Sequence, residues 1–355
     1  MMLFKRSIQR ELSRSFAATL LVLLTIVMTM MLIRTLGLAA KGIINPQEVM
    51  LIMSYSVLGH TPTILALSLF ITTVTTLARM IGDNEVVIWM SSGKSILGFV
   101  RPLLRFATPI FITIALMVFM VWPWSNTQMK DLRERFEQRG DIERLVPGEF
   151  QESANGKRVV YIDKSDLKDP NNIQVNNVFM AYFDNDKALV TSAQSGQTKT
   201  IQGDKFIVLN KGQQIVTDAS QSSIKVTEFE VMGTRVRAEK VDTVQGPPNT
   251  RSSLTLLQEG QPDNRGELSW RIGIVLAAIN LLLIGLASAS FKPRQAKSAP
   301  LLLAIMIFVS YYNFINVGQN WIASGKADFF STIFVLHGSV TLLTVAWLAR
   351  RHYRP

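Results

Sequence analysis

The sequence predicts an α-helical membrane protein with a β insert: six transmembrane helices, three on each side of a non-cytosolic β-rich domain. Three observations predict it. Six long runs carry no charge, the excess of basic residues falls on alternate connections between them, and the stretch between the third and fourth runs changes to short alternating segments. Composition agrees, since 48% of the 355 residues are hydrophobic and only 18% are charged, against about 25% charged in a typical soluble domain. The mean hydropathy is +0.23.

A hydrocarbon core about 30 Å thick needs about 20 apolar residues in helical form. The charge-free runs are Phe16 to Ile33, Val49 to Ala78, Phe106 to Trp124, Ile272 to Phe291, Ser298 to Gly325 and Phe329 to Ala349. The first lacks the small residues of a cleavage site and five more runs follow it, so it is expected to stay as a helix rather than leave as a signal peptide. Residues 1–124 and 271–355 are thus read as two three-helix membrane segments.

An even number of spans puts both termini on one side, and basic residues identify that side. The N-terminal stretch, the second and fourth connections and the C-terminus hold 14 of the 37 Lys and Arg residues, from Lys5 to Arg354, but only Glu11, Asp83 and Glu85 among the acids. The remaining 23 bases meet 23 acids, so the whole net charge of +11 lies on one face. Both termini are expected in the cytosol. No basic segment carries the interleaved aromatics of a nucleic-acid surface, so no nucleic-acid partner is expected.

The insert, residues 125–270, has the texture of a sheet. Alternating runs stand at Arg158 to Asp163, Val175 to Phe183, Ala188 to Ser192, Lys205 to Asn210, Gln214 to Thr217 and Ile224 to Val231. Asn155-Gly156, Asp169-Pro170-Asn171, Gly203-Asp204 and Lys211-Gly212 supply turn chemistry between them. The expectation is a β-sandwich or jelly roll of roughly 100 residues. Met129 to Glu143 reads as a short polar helix leading in, and Gly246-Pro247-Pro248-Asn249 as the start of the return to the membrane.

Residue supply excludes most chemistry. There is no cysteine, and His60, His337 and His352 are far apart with no second ligand at metal spacing, so no metal and no cofactor is expected. Ser92-Gly93-Lys94-Ser95 resembles the end of a phosphate-binding loop, but Ile88 stands where the motif needs its first glycine. No catalytic residue is assigned. His60 and His337 read as hydrogen-bonded histidines packed between helices.

Two features carry function. Asp83 through Gly93 reads as a capped helix, with Asp83 bonding free N–H groups and Glu85 at the positive end. It is too short to stand alone in water, so Val86, Trp89 and Met90 must be covered by headgroups, by the protein's own helices or by a partner. The second feature is Arg34, directly after the first apolar run. It either snorkels to lipid phosphate or recognises a phosphorylated amphiphile, its guanidinium on phosphate and the wall of Val27, Met28, Met30 and Met31 on acyl chains. In the β insert, Tyr161, Phe179, Phe183, Phe206, Val208 and Phe229 supply large side chains for an apolar groove, with Phe179 and Phe206 its expected lipid contacts.

The layout of three helices, a β-rich insert and three helices, with Arg34-Thr35-Leu36-Gly37, Asn84-Glu85-Val86-Val87, Pro123-Trp124-Ser125 and Gly148-Glu149-Phe150-Gln151, resembles the LptF/LptG family of lipopolysaccharide export permeases over essentially the full chain. Asn155-Gly156, Glu267-Leu268-Ser269-Trp270-Arg271-Ile272 and Pro293-Arg294-Gln295 resemble its LptF branch. The resemblance implies a multi-pass protein of the Gram-negative inner membrane with a periplasmic β-jelly-roll domain. It also implies a homologous LptG-like permease chain, an LptB-like cytosolic ATPase dimer, an LptC-like membrane-anchored periplasmic bridge protein, and lipopolysaccharide as cargo. The family's coupling helix falls on residues 84–92, with Glu85 its acidic contact to the ATPase. Arg34 matches the basic residue that faces lipid A phosphates, while the family's second basic residue, one turn earlier, is Met31 here. Independently, six helices cannot enclose a many-chained lipid and the chain holds no nucleotide site, so a partner and an external energy source are expected. The competing reading is a non-transporting, membrane-anchored periplasmic binding or scaffold module. A co-purifying ATPase separates the two.

Overall fold

The computed structural model describes residues 2–40, 43–91, 96–138, 148, 150–152, 158–161, 163, 174–184, 187–201, 204–218, 223–235, 246–288 and 299–353. Its helices in chain order are α1 (Met2–Ala40), α2 (Val49–Gly82), α3 (Glu85–Ser91), α4 (Val100–Leu116), α5 (Trp122–Gln138), α6 (Ser253–Glu259), α7 (Pro262–Ser288), α8 (Ala299–Ala323), α9 (Phe329–Ile333) and α10 (Ser339–Tyr353). Single π turns, Met117–Val121 and Phe334–Gly338, join α4 to α5 and α9 to α10. Among the described residues six helical stretches are long and apolar enough to cross a membrane, as the charge-free runs predict.

Helix ends differ from the ends of those runs. α1 continues past Ile33 to Ala40, and the third span does not stop at Trp124 before a separate lead-in helix but runs on as α5 to Gln138. A charge marks where the bilayer ends, whereas a helix ends only where its backbone bonding fails, and the polar residues of both extensions are adequate helix formers.

Contacts divide the chain into two compact units, residues 1–35, 50–130 and 245–355, and residues 36–49 and 131–244. In the first, α2 and α7 are central: 78% and 61% of their apolar windows are buried. Lipid tails are as apolar as leucine, so these helices associate through close packing rather than through escape from water. Glycines on α7 allow it. A Cβ on Gly285 would lie 2.9 Å from Thr73 Cγ2, one on Gly266 2.9 Å from the Gln319 carbonyl, and one on Gly273 3.2 Å from His337 Nε2. Asn280 Nδ2 donates to Tyr311 Oη (2.8 Å), which pairs with His337 Nδ1 (2.7 Å), so one buried polar set ties α7 to α8 and the second π turn. His337 thus packs as the sequence suggests. His60 does not: it is exposed, with Nδ1 2.8 Å from the Ser56 carbonyl one turn back.

At one end of the bundle, Ile8 and Leu12 of α1, Met80 and Ile81 of α2, Val86 of α3 and Leu348 of α10 share a buried cluster. The helix ends that the basic residues assign to one face therefore do come together. Asp328 caps α9 through Ser331 N–H (3.1 Å), and this bond holds its carboxyl below the usual carboxylate range.

The second unit contains one antiparallel sheet whose six strands are β1 (Gln151–Glu152), β2 (Arg158–Tyr161), β3 (Gln174–Asp184), β4 (Lys187–Ile201), β5 (Asp204–Asp218) and β6 (Ser223–Arg235), hydrogen-bonded in sequence order. This is a meander; no Greek-key crossing occurs among the described strands. The turns at Asn155-Gly156 and Asp169 to Asn171 lie outside the described residues. The Lys211-Gly212 turn is corrected: Lys205 to Asn210 and Gln214 to Thr217 belong to the single strand β5. Lys211 is left-handed (φ 48°) inside that strand, as Asn177 (φ 48°) is inside β3. The ladders skip Asn177, Gln194, Lys211 and Glu230 in one row and resume in unchanged register on both sides.

Candidate functional site

The short helix α3 hangs on a left-handed residue. Asn84 (φ 58°) turns the chain from α2 into α3, and its carbonyl accepts the first helical bond, from Ile88 N–H (3.1 Å). Asn84 therefore takes the cap position that the sequence assigns to Asp83. Asp83 Oδ2 instead accepts from Arg79 Nη1 at 2.9 Å, Glu85 Oε1 accepts from the same nitrogen at 3.3 Å, and Arg79 Nη2 reaches Glu11 Oε1 at 3.0 Å. One guanidinium thus ties α1, the end of α2 and the head of α3. Each pair is exposed and by itself worth at most about 1 kcal/mol, so the arrangement positions rather than stabilises. Apolar packing adds to it, because Val86 is buried in the cluster with Ile8 and Leu12. Ile88 points outward, exposed. The side chains of Trp89 and Met90 lie outside the described residues.

Arg34, Met31 and Val27 share one side of α1, spaced by three and four residues. Val27 and Met31 are half-buried and Arg34 is exposed, with no hydrogen bond or ion pair to the described residues. Within the bundle α1 is exceptional. Its cytosol-predicted end is packed through Ile8 and Leu12, yet none of its apolar window is buried. Such a helix leaves a full apolar face for lipid or for another chain. Glu11 and Arg34 are 23 residues apart on it, about 35 Å of unbroken helix.

The sheet carries the third group. Val160, Val178, Ala193 and Leu209 form its buried cluster, with Met180, Phe229 and Met232 packed against them. Ala193 and Gly196, the register partner of Leu209, are three residues apart on β4, an odd spacing that a regular strand sends to opposite faces. The unpaired row of Gln194 and Lys211 lies between these positions, and Lys211 is left-handed there. Phe179 is not in that cluster: its ring packs edge-on against Phe150, which also meets Tyr161. A cavity of about 730 Å³ opens along the row, with Tyr161, Phe179, Gln194, Lys211 and Phe229 in its walls. The side chain of Phe206 lies outside the described residues; its backbone pairs with Lys199 and Arg235.

Within the first unit the predicted residues form two separate groups, Glu85 with Val86 and Arg34 with Met31 and Val27, while Phe179 belongs to the sheet of the second unit. Arg79, Glu267 and Arg271 form ion pairs to which the sequence reading assigns no role. Arg79 counts in sequence only as one more basic residue, although its spacing from Asp83 is an ion-pair signal. Glu267 and Arg271, also one turn apart, form an ion pair (3.0 Å) with the arginine fully buried.

The chain is similar in sequence to known proteins. The curated relatives include the protein named lipopolysaccharide export system permease protein LptF in Escherichia coli strain K12, in Escherichia coli O157:H7 and in Shigella flexneri. Each is 26% identical over 318 residues, covering 88% of this chain and 85% of the relative. A family described as lipopolysaccharide export system permease LptF/LptG matches residues 6–351. With that match spanning the bundle, the sheet and α3 alike, the chain belongs to the LptF/LptG family of lipopolysaccharide export permeases.

Proposed function

We propose that this permease subunit is one half of an ABC-type exporter in the Gram-negative inner membrane. A homologous LptG-like chain completes the membrane cavity, an LptB-like ATPase dimer docks in the cytosol on α3, and the β domain faces the periplasm. The β domain passes lipopolysaccharide to an LptC-like bridge protein. Both termini are cytosolic. Energy enters at α3 and lipid is held near Arg34.

The observation that carries this reading is α1. Its first turns are fixed to α3 by the Glu11–Arg79–Glu85 pairs and by Ile8, Leu12 and Val86. Its membrane stretch is left unpacked and carries Arg34, Met31 and Val27. A push on α3 therefore has a direct rigid path to the helix that presents the lipid contacts.

Glu85→Arg tests it, since it sets a second cation beside Arg79 and reverses the charge offered to the ATPase. In membranes that also hold the other subunits, ATPase co-purification and lipid extraction should both fall by about tenfold or more, the factor of one lost charge-assisted contact. Unchanged values for both would make α3 an interfacial anchor and remove this entry point for energy.

A further inference from the structure

The Glu267-to-Ile272 motif leads to a second device, at the opposite end of α7 from Leu286. Here the chain leaves the bundle as α5 and returns through residues 246–253. Arg271 is fully buried, and every one of its nitrogens is engaged. Nε donates to Glu267 Oε1 (3.0 Å), Nη1 to Ser253 Oγ (2.8 Å) and Nη2 to the Arg251 carbonyl (3.1 Å), with the Pro248 and Asn249 carbonyls at 3.5 Å. The returning segment thus has its carbonyls bound by a cation on α7.

The same set reaches the outgoing helix twice. Glu267 Oε1 also accepts from Trp122 Nε1 (2.8 Å), the first residue of α5, and Ser253 Oγ donates to the Phe119 carbonyl (3.0 Å) inside the first π turn. A π turn loosens regular backbone pairing, so a side chain from elsewhere can use that carbonyl. Farther out, Thr127 Oγ1 meets the Thr250 carbonyl (3.0 Å) and Asn249 Nδ2 meets Asn126 Oδ1 (3.5 Å). All of these residues lie in the first compact unit.

We propose that Arg271 is the positioning residue of a closed joint that keeps α5 and the returning segment fixed to α7 throughout the transport cycle, so that both chain crossings move with α7 as one piece. A buried ion pair is a costly way to stabilise a helix contact, because desolvation offsets much of its attraction. Its geometric return is direction: the guanidinium fork fixes three acceptors at set angles, which apolar packing does not. The joint acts on lipid hand-over and not on ATP hydrolysis. It rests on the export reading above.

The chain has no cysteine of its own to compete with an introduced pair. In proteoliposomes holding the full complex and labelled lipopolysaccharide, Arg271→Gln should lower lipid extraction by about tenfold while ATP hydrolysis stays near that of the unaltered chain. Adding Asn126→Cys with Asn249→Cys and oxidising the pair should restore extraction, because the disulfide replaces the lost tie. The same disulfide with Arg271 in place should leave extraction unchanged. Block by that disulfide would mean the joint must open, and failure of rescue would mean Arg271 acts elsewhere; either overturns the proposal. Should Arg271→Gln not fold, Ser253→Ala removes the bridge between Phe119 and Arg271 and takes its place in the same assay. Oxidation rate of the cysteine pair, slower in the Arg271 or Ser253 variant if the joint has loosened, reads the joint without transport; an equal rate also overturns it. No extraction by the unaltered chain would instead count against the export reading.

Discussion

At the scale of single residues, a charge matters here by what it is or is not attached to. Arg34 is exposed and unattached among the described residues, so its guanidinium is available to a ligand at no cost in broken bonds. A bidentate contact to phosphate is worth about 1.5 to 3 kcal/mol, whereas a snorkelling arginine contributes almost nothing specific. Arg34→Ala should therefore weaken lipid binding by about one to two orders of magnitude. Arg34→Lys should recover only part, because the planar fork is lost. Bound-lipid content and lipid-stimulated ATPase activity of the purified complex check both, and wild-type values for Arg34→Ala would return the residue to a membrane anchor. Met31, half-buried on the same side of α1, gives Arg34 an apolar neighbour one turn back.

Among elements, β5 shows how one strand is made to bend without losing register. Lys211 takes the left-handed conformation, and the next residue has to be glycine: a Cβ at Gly212 would lie 2.2 Å from the Ser192 carbonyl and 2.6 Å from the ring of Phe229. Backbone on the neighbouring strand cannot move aside cheaply. Gly212→Ala should cost about 1 to 3 kcal/mol, the range for overpacking, and appear as a lowered melting temperature of the β unit. Gly233→Ala on β6, where nothing lies within 4 Å of the added carbon, should change it by less than about 0.5 kcal/mol. Equal effects at the two glycines would mean that close approach is not what shapes the sheet.

For the whole molecule, the proposed export stroke requires α1 to behave as one lever. Its coupling to α3 runs through exposed pairs that salt can screen, together with the buried contacts of Ile8, Leu12 and Val86. Glu11→Arg should set like charges against Arg79 and reduce lipid extraction with the ATPase still bound. Combining it with Arg79→Glu restores the Glu11 pair in reverse but turns Asp83 and Glu85 into repelled neighbours. Rescue of extraction should therefore be partial, and a double variant as active as the unaltered chain would show that only the α1–α2 pair matters. Burial is uneven, from 78% of the apolar window of α2 to none of that of α1, as the proposed lever requires: a helix that must move or meet another chain cannot be packed on all sides by its own.

The sequence by itself determined the six apolar spans among the described residues, the presence of a β-rich stretch and the family. Those are properties of composition, of charge placed along the chain and of local motifs, and each is readable from one residue and its near neighbours. Tertiary structure decided that the guanidinium of Arg79, whose pairing with Asp83 is local, also reaches Glu11 on α1. It decided that Lys211-Gly212 lies inside a strand rather than ending one, since the strands on both sides hold their register through it. It also decided that Arg271 grips a segment about 20 residues earlier in the chain. Which acceptor an arginine finds, and which backbone a glycine admits, depend on groups brought near by folding, and no periodicity along the chain encodes that proximity.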